Sequence, residues 1–300
     1  MGKSNNTGAY KEKKKNFALS AFISALSVLA TTSSSFSADL TSLLPEKYKK
    51  NGYVTIGSQQ TVPPIEFRDP GTLKLKGASI DLINEVGTRL AVEFRYMQAE
   101  YSALIPGIEA KRFNIASGAI SDTIEREAKL DFINYLSAGA SILVRQDESA
   151  KFKTIDDFCG LTMATLLGSR VIMTAIETAS EKCVANGKSA IKVEQLPSAP
   201  DARQQLDLKR VDGYLGDFPA LAYMVQQMPG RYDIVDKNYV LVPYITSWGF
   251  PKNETGLRDA IKAAMDEMVA DGTYKKILTE WGLEAAALPE ITINFPASQR

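Results

Sequence analysis

Apolar and polar positions alternate in two different periods along most of the chain. Residues 53–57 form a short β-branched, apolar run that is typical of a strand. Residues 79–91 place Ile80 and Ile83, among other apolar positions, on one face of a helix, and residues 92–98 return to a strand pattern. A strand, helix, strand order predicts a mostly parallel sheet that is covered by helices.

The same alternation continues to the end of the chain. Further helices are predicted at 101–112, 122–130, 169–184, 199–210, 219–228, 254–272 and 273–283. Further strands are predicted at 113–118, 161–166, 191–196, 211–217 and, in extended form, 239–250. Two series of this kind predict an α/β fold with two lobes. Ligands of open α/β sheets bind beyond the carboxyl ends of the strands, so the strand-to-helix turns are the places to search for a site.

The N-terminus has the pattern of an export signal. Lysines at 11–15 precede an apolar stretch from Phe17 to Ala30, and small residues end near Ala38. We expect residues 1–37 to be a cleavable signal peptide and the mature protein to be soluble and exported. The alternative is an uncleaved anchor, which is disfavoured because the apolar stretch is short for a bilayer.

Composition narrows the choice of partners. Without its first 37 residues the chain has 30 basic and 34 acidic residues, a net charge of about −4, so neither nucleic acid nor an anionic membrane is an expected partner. The chain has no histidine and two cysteines, which argues against a metal site, and no cofactor is expected. Cys159 and Cys183 predict one disulfide, with two buried free thiols as the alternative.

Arg126 occupies an unusual place in the stretch "SGAISDTIERE", residues 117–127. The sequence predicts a helix start here, with Asp122 and Glu125 in a capping box, and a cation is disfavoured at that end of a helix. A bound carboxylate would resolve the conflict, because a planar guanidinium and free N–H groups grip one anion together. The alternative is that Arg126 pairs with Glu125, Asp131 or water.

Asp217 lies at a second predicted helix start, before Pro219. Aspartate is common at such positions for structural reasons alone. A cation in one lobe and an anion in the other would nevertheless complement a zwitterion, and closing the lobes on an amino acid would strengthen both pairs by removing water. The pair therefore predicts an amino-acid site in the cleft.

Several motifs together resemble a known family. The fragments are "PPIEFRD", "KGASIDLINEVGTRL", "YSALIPGIEAKRFNIASGAISDTIERE", "LDF", "VDGYLGDFPALAY" and "MVADGTYKKILTEWG", between Tyr53 and Trp281. In order and spacing they resemble the polar amino-acid type of bacterial extracellular solute-binding protein, family 3. The resemblance implies a two-lobed periplasmic-binding-protein-like fold of type II, a venus-flytrap, with lobe 1 at 38–144 plus 243–300 and lobe 2 at 145–242. Two extended hinge crossings are implied near Leu143 to Asp147 and Val240 to Tyr244.

The resemblance also implies roles for individual residues. Arg126 would hold the α-carboxylate beside the Ser121 hydroxyl, and Asp217 would take the α-ammonium. The backbone of Ala119, the hydroxyl of Ser169 and the ring of Tyr101 would complete the site.

Three further positions would set the choice of ligand. Val62 stands where an aromatic residue is usual, and Gln59 stands where relatives for cationic amino acids tend to have an acid, which argues against lysine or arginine. Arg170, after Ser169, would reach a second carboxylate and favour an acidic ligand. The alternative is an Arg170 that faces solvent.

The implied function is capture of an amino acid or related carboxylate, without catalysis, for delivery to an ABC transporter permease. We expect a periplasmic monomer. The alternative is an exported cyclohexadienyl (prephenate or arogenate) dehydratase on the same fold, with Asp122 or Glu66 as the acid. A sensor domain is less favoured, because no membrane span or signalling domain is predicted after Trp281.

Overall fold

A computed structural model describes residues 40–236 and 241–295, so the predicted signal peptide at 1–37 lies outside the described residues. The strands are β1 (Tyr53–Ser58), β2 (Thr61–Val62), β3 (Glu66–Arg68), β4 (Leu75–Lys76), β5 (Glu93–Gln98), β6 (Ile115–Ser121), β7 (Leu130–Arg145), β8 (Thr162–Leu166), β9 (Lys192–Leu196), β10 (Gly213–Asp217), β11 (Tyr232–Val235), β12 (Val242–Pro251) and β13 (Thr292–Ile293). The helices are α1 (Glu46–Asn51), α2 (Ala78–Leu90), α3 (Tyr101–Glu109), α4 (Ile124–Glu127), α5 (Arg170–Ala185), α6 (Ala199–Asp207), α7 (Phe218–Gln227), α8 (Thr255–Ala270) and α9 (Thr273–Glu280). Over the described residues, no helix is both long and apolar enough to span a bilayer.

Two long antiparallel strands, β7 and β12, connect the sheets of the two lobes. The strand order is β5-β1-β6-β12-β7-β10-β8-β9, and β11 and β13 also pair with β7. β1 runs parallel to β5 and β6, and β8 runs parallel to β9 and β10. The predicted two-lobed α/β fold is confirmed.

Each lobe has its own apolar core. One core packs α2, α8 and α9 against the sheet of the first lobe, and it contains Trp248 and Tyr135, whose rings stack with centroids 4.4 Å apart. The other lobe has two clusters, on the two faces of its sheet. Helices on both faces of a parallel sheet bury its strands, which explains the nearly continuous apolar runs in the sequence.

β7 runs through the first predicted crossing. Leu143, in that predicted crossing, is fully buried among apolar residues of β8, α6 and α7. The exposed position of β7 is Ser137, which pairs with Ile245 of β12. Val240, in the second predicted crossing, lies outside the described residues. The lobe bounds 38–144 plus 243–300 and 145–242 stay a prediction.

The predicted helix at 122–130 is much shorter in the structure. Only α4, one turn, is helical, because Leu130 starts β7 and pairs with Pro251 of β12. The predicted capping box is also wrong: Thr123 is the N-cap, and its side chain accepts a hydrogen bond from the Arg126 backbone N–H. Tertiary strand pairing here overrides a local helical pattern.

Cys159 and Cys183 form the predicted disulfide, with Cα atoms 5.6 Å apart. The bridge joins the segment before β8 to the last turns of α5. It closes a loop of 24 residues, which in the chain-entropy model stabilises the fold by about 3 kcal/mol.

Candidate functional site

A small cavity lies between the two lobes, where the carboxyl ends of β6, β8 and β10 meet. Its volume is about 10 Å³, which is about what one water molecule requires. The lining residues are Tyr101, Ala119, Ser121, Leu166, Ser169, Val171, Ile172, Gly216, Asp217 and Tyr244. Five of the nine predicted ligand-binding residues are therefore brought together here: Tyr101, Ala119, Ser121, Ser169 and Asp217.

Arg126 lies beside this cavity and holds two of its lining residues. One guanidinium nitrogen donates to the backbone carbonyl of Ser121 at 2.8 Å and to its hydroxyl at 2.7 Å. The other nitrogen donates to the Tyr101 hydroxyl at 3.3 Å and to the carbonyl of Gly168, in the second lobe, at 3.2 Å. The guanidinium is thereby fixed at the boundary between the lobes.

Arg126 is a buried cation that has no acidic hydrogen-bond partner within the described residues. Its residue surface is 8% exposed, yet the four hydrogen bonds that its side chain donates within the described residues all go to neutral oxygens. Arg145 is equally buried, at 8%, but forms an ion pair with Glu148. Since a buried charge is costly without a partner of opposite sign, the surroundings of Arg126 favour an anionic ligand.

Asp217 is the carboxylate on the cavity wall. It ends β10 and occupies the N-cap position of α7, but its side chain does not cap that helix. Its Oδ1 accepts a hydrogen bond from the Tyr244 hydroxyl. Burial raises the pKa of Asp217 to about 6, and the Tyr244 hydrogen bond opposes that rise. At neutral pH the carboxylate is therefore mostly ionised and able to accept a cation.

Ser169 shows the same departure from ordinary capping. It is the N-cap residue of α5, yet its hydroxyl makes no capping hydrogen bond. Ser198, by contrast, caps α6 by accepting from the backbone N–H of Asp201. The two N-cap side chains that line the cavity, those of Ser169 and Asp217, are thus both unused by their own helices.

Gly168 brings the second lobe against the first. Its φ is +86°, and an added Cβ would lie 3.3 Å from the Cα of Ser102 at the start of α3. Only glycine adopts this backbone conformation at low cost. Together with the hydrogen bond from Arg126, this close approach holds the lobes together.

Glu66, one of the two acids considered for catalysis, is fully buried and does not line the cavity. Its carboxylate accepts hydrogen bonds from the hydroxyls of Ser58 and Ser117 and from the backbone N–H of Gln59. Burial raises the pKa of Glu66, although these hydrogen bonds oppose the rise. The contacts indicate that Glu66 fixes the turn after β1.

Asp122, the other acid, is also buried and is not among the residues that line the cavity. Its Oδ2 accepts hydrogen bonds from the amide of Asn134 at 3.0 Å and from the backbone N–H of Phe295 at 3.1 Å. Burial raises its pKa to about 7, and the neighbouring Glu127 adds to the rise. Asp122 therefore connects the C-terminal segment to the loop that carries Arg126.

Three predicted specificity residues do not lie on the cavity wall. Val62 is buried in the first-lobe core. Arg170 is largely exposed, and its guanidinium lies 3.8 Å from Glu125 across the rim of the cleft. Gln59 is buried behind Gly118, and neither polar atom of its side chain has a hydrogen-bond partner within the described residues.

Several lining residues could not be recognised as site residues from the sequence. Tyr244 was identified only as part of an extended crossing, and Val171 and Ile172 only as parts of a helix. Leu166 and Gly216 carry no distinctive chemistry. The available signal was positional: each of these residues lies at a strand end, in a first helical turn or in a crossing strand.

Two proteins of known name are similar to this chain over most of its length. The arginine-binding protein ArgT of Corynebacterium glutamicum is 28% identical over 256 residues, which cover 85% of this chain and 83% of the relative. The L-cystine-binding protein TcyA of Bacillus subtilis is 26% identical, covering 78% of this chain and 82% of the relative.

A solved structure has the same fold. The P235GK mutant of ArgBP from T. maritima matches with a TM-score of 0.69 and 26% identity, covering 79% of this chain and 97% of that protein. Residues 54–284 match the model of one family. From this match, the chain belongs to the bacterial extracellular solute-binding proteins, family 3.

Proposed function

We propose that this protein captures an amino acid, or a related carboxylate, between its two lobes and delivers it to the permease of an ABC transporter. The observation that carries the proposal is Arg126, a buried cation whose side-chain hydrogen bonds within the described residues go to neutral oxygens. A ligand carboxylate would supply the missing anion, and charge-assisted hydrogen bonds of this kind contribute about 1.5 to 3 kcal/mol each.

The proposed roles follow the position of each side chain. Arg126 and Ser121 bind the α-carboxylate, and Asp217 accepts the α-ammonium from the other lobe. Ser169 donates a further hydrogen bond from the start of α5. The proposal gives Ala119 a backbone contact and Tyr101 the position over the ligand's side chain.

Gln59 is the candidate for the far end of the ligand, because its buried carboxamide has both a donor and an acceptor to offer. We assign Arg170 to the rim of the cleft, where it faces Glu125. Val62 would act indirectly, from the first-lobe core three residues after Gln59.

Ligand entry requires the lobes to separate. A cavity of about 10 Å³ has no room for an amino acid, and the two charged groups of the site come from different lobes. A ligand that contacts both lobes favours the closed form, which is then the form that a permease would recognise. Members of this family are extracellular, and we propose a monomer that reaches the periplasm after cleavage of residues 1–37.

A thermal-shift panel of L-arginine, L-cystine, L-histidine, L-glutamine and L-glutamate tests the proposal. A ligand present at 100 times its dissociation constant stabilises the folded form by about 2.7 kcal/mol. We expect a clear shift with at least one panel member and a smaller shift with its deaminated analogue. No shift with any amino acid would contradict the proposal.

We propose binding without catalysis, because the acids considered for a dehydratase, Glu66 and Asp122, are turned to other partners. Incubation with prephenate and with arogenate, followed by product detection, checks this. Turnover that is lost in Asp122→Asn or Glu66→Gln would instead support the enzyme.

A further inference from the structure

We propose that Tyr244 is a positioning residue of the subsite for the ligand's α-ammonium group. Its hydroxyl holds the Asp217 carboxylate towards the cavity as an ionised acceptor. The inference rests on the proposed function, since it assigns a further residue to the same site. Tyr244 and Asp217 come from different elements, β12 and β10, and both line the cavity.

The position of Tyr244 is fixed by the crossing strands. Its backbone pairs with Ala138 of β7, next to the pair of Ile245 and Ser137. Its side chain is 4% exposed and packs in the second-lobe core. The hydroxyl is therefore held in place by the fold and donates to Oδ1 of Asp217.

Without Tyr244, the side chain of Asp217 would be expected to cap helix α7. An aspartate at an N-cap normally accepts a hydrogen bond from the second or third N–H group of its helix. In α7 the second position is Pro219, which has no N–H, and the side chain of Asp217 makes no capping hydrogen bond. The bond from Tyr244, together with one from the backbone N–H of Asp217 itself, holds the carboxylate away from the helix, and its remaining lone pairs are left for an ammonium group.

Tyr244 also controls the charge of that carboxylate. A hydrogen bond to the ionised form lowers the pKa of an acid, and it opposes the rise that burial causes at Asp217. Burial keeps the Tyr244 phenol protonated, with its pKa well above the usual value, so the donor persists across neutral pH. Loss of this hydroxyl would raise the pKa of Asp217 above 6 and leave more of it neutral at pH 7.

The other groups around Asp217 do not replace this donor. The phenols that interact electrostatically with Asp217 or Tyr244 are Tyr101 on α3, Tyr135 on β7 and Tyr214 on β10. The charged groups around the cavity are Arg126, which donates to Ser121 and Tyr101, and the rim pair of Arg170 and Glu125, and none of them has a hydrogen bond to Asp217 among the described contacts. Among the described side chains, the hydrogen bond that Asp217 accepts comes from Tyr244.

The first arm of the test needs no ligand. Carbon-13 NMR of aspartate carboxyls, with Asp217 assigned through Asp217→Asn, gives its titration directly. We expect Tyr244→Phe to shift the titration of Asp217 upward by about one pH unit, a tenfold change in proton affinity. Tyr232→Phe, which removes another buried second-lobe phenol whose hydroxyl donates to Asp207 instead, is the matched control and should leave the titration in place. An unshifted titration in Tyr244→Phe would overturn the inference.

The second arm is calorimetry between pH 5.5 and 8.5 with whichever of L-arginine, L-histidine, L-cystine, L-glutamine and L-glutamate binds the parent protein most tightly. We expect Tyr244→Phe to weaken binding by about eightfold at pH 5.5 and by less than twofold at pH 8.5, because a one-unit rise in the pKa of Asp217 from about 6 removes most of the ionised carboxylate only at the lower pH. A loss that is equal at both pH values marks a merely structural role and overturns the inference. If the parent protein binds none of these probes, the proposed function fails, and the NMR titration still decides the role of Tyr244.

Discussion

Arg126 and Arg145 are buried to the same degree but have different partners. Arg145 pairs with Glu148 and donates to the carbonyls of Leu206 at 2.7 Å and Val211 at 2.8 Å. Arg126 donates only to neutral oxygens within the described residues, and one of these belongs to the other lobe. Arg145 has the partners of a residue that stabilises one lobe, whereas Arg126 has those of a residue that binds an anion between two.

The largest changes in affinity and in the free energy of unfolding are expected when each arginine in turn is replaced by methionine. Arg126→Met should weaken binding of the panel amino acid by at least 100-fold, because two charge-assisted hydrogen bonds are lost. Its free energy of unfolding should fall by only about 1 kcal/mol, because the carbonyls of Ser121 and Gly168 lose a donor but a buried charge without an anionic partner is removed as well. Calorimetry and urea unfolding measure the two quantities.

Arg145→Met should show the opposite behaviour. We expect the free energy of unfolding to fall by about 3 kcal/mol, because two carbonyls and Glu148 lose a buried partner. The affinity of the folded protein should stay within threefold of the parent. Equal losses of affinity in both variants would remove the distinction between the two arginines.

Asp122 extends the comparison to a buried acid beside the Arg126 loop. Its pKa is raised to about 7 in the folded protein, against an ordinary value near 4 when unfolded. The raised pKa favours folding below about pH 4, and that contribution disappears as the pH rises through 7. Asp122→Asn should therefore reduce the fall in stability between pH 5 and 7, by up to about 1.4 kcal/mol per pH unit.

Urea unfolding at pH 5, 6, 7 and 8 checks this, with Asp259→Asn, an exposed surface acid, as the control. Identical pH dependence in parent and Asp122→Asn would show that Asp122 does not take up a proton on folding in this range.

Gly168→Ala tests the contact between the lobes. The new methyl group would lie 3.3 Å from the Cα of Ser102 in the closed form. The backbone φ of +86° at position 168 is also unfavourable for alanine, by about 1 kcal/mol. We expect binding to weaken by about fivefold. Gly187→Ala is the matched control, because Gly187 has a φ of +73° with nothing within 4 Å of its added Cβ.

Gly187→Ala should lower stability by a similar amount and leave affinity unchanged. Calorimetry with thermal unfolding of both variants separates the two effects. An equal affinity in the two glycine variants would show that Gly168 does not limit closure.

Arg170→Ala should have the smallest effect. The Arg170 guanidinium lies 3.8 Å from the Glu125 carboxylate, and the two side chains are 68% and 72% exposed. Ion pairs that are this exposed contribute little to stability or binding. We expect less than a twofold change in affinity for L-glutamine or L-glutamate. A selective loss of L-glutamate binding would instead restore the hypothesis of an acidic ligand that reaches Arg170.

Regular periodicity made most of the fold predictable. The helix predicted at 79–91 is α2 at Ala78–Leu90, and the one predicted at 169–184 is α5 at Arg170–Ala185. The helix predicted at 122–130 was too long, because Leu130 starts β7 and pairs with Pro251 of β12, more than a hundred residues away. Local patterns contain no information about such distant strand pairing.

The candidate site was predictable only in part. Arg126 and Asp217 were recognisable as charges at unusual or capping positions, together with a family resemblance. The role of Tyr244 was not, because its sequence context predicts only a strand. Its hydroxyl reaches Asp217 because β12 and β10 both pair with β7, so the contact exists only once these distant strands have come together.

Titration calorimetry with the best-binding amino acid and two analogues tests zwitterion recognition most directly. In one analogue the α-carboxylate is converted to an uncharged amide. In the other the α-ammonium group is removed, which leaves the deaminated acid. Recognition by Arg126 and Asp217 predicts that each removal weakens binding to the parent protein by at least 100-fold. If either analogue binds as tightly as the amino acid, these two residues do not form the site that recognises the zwitterion.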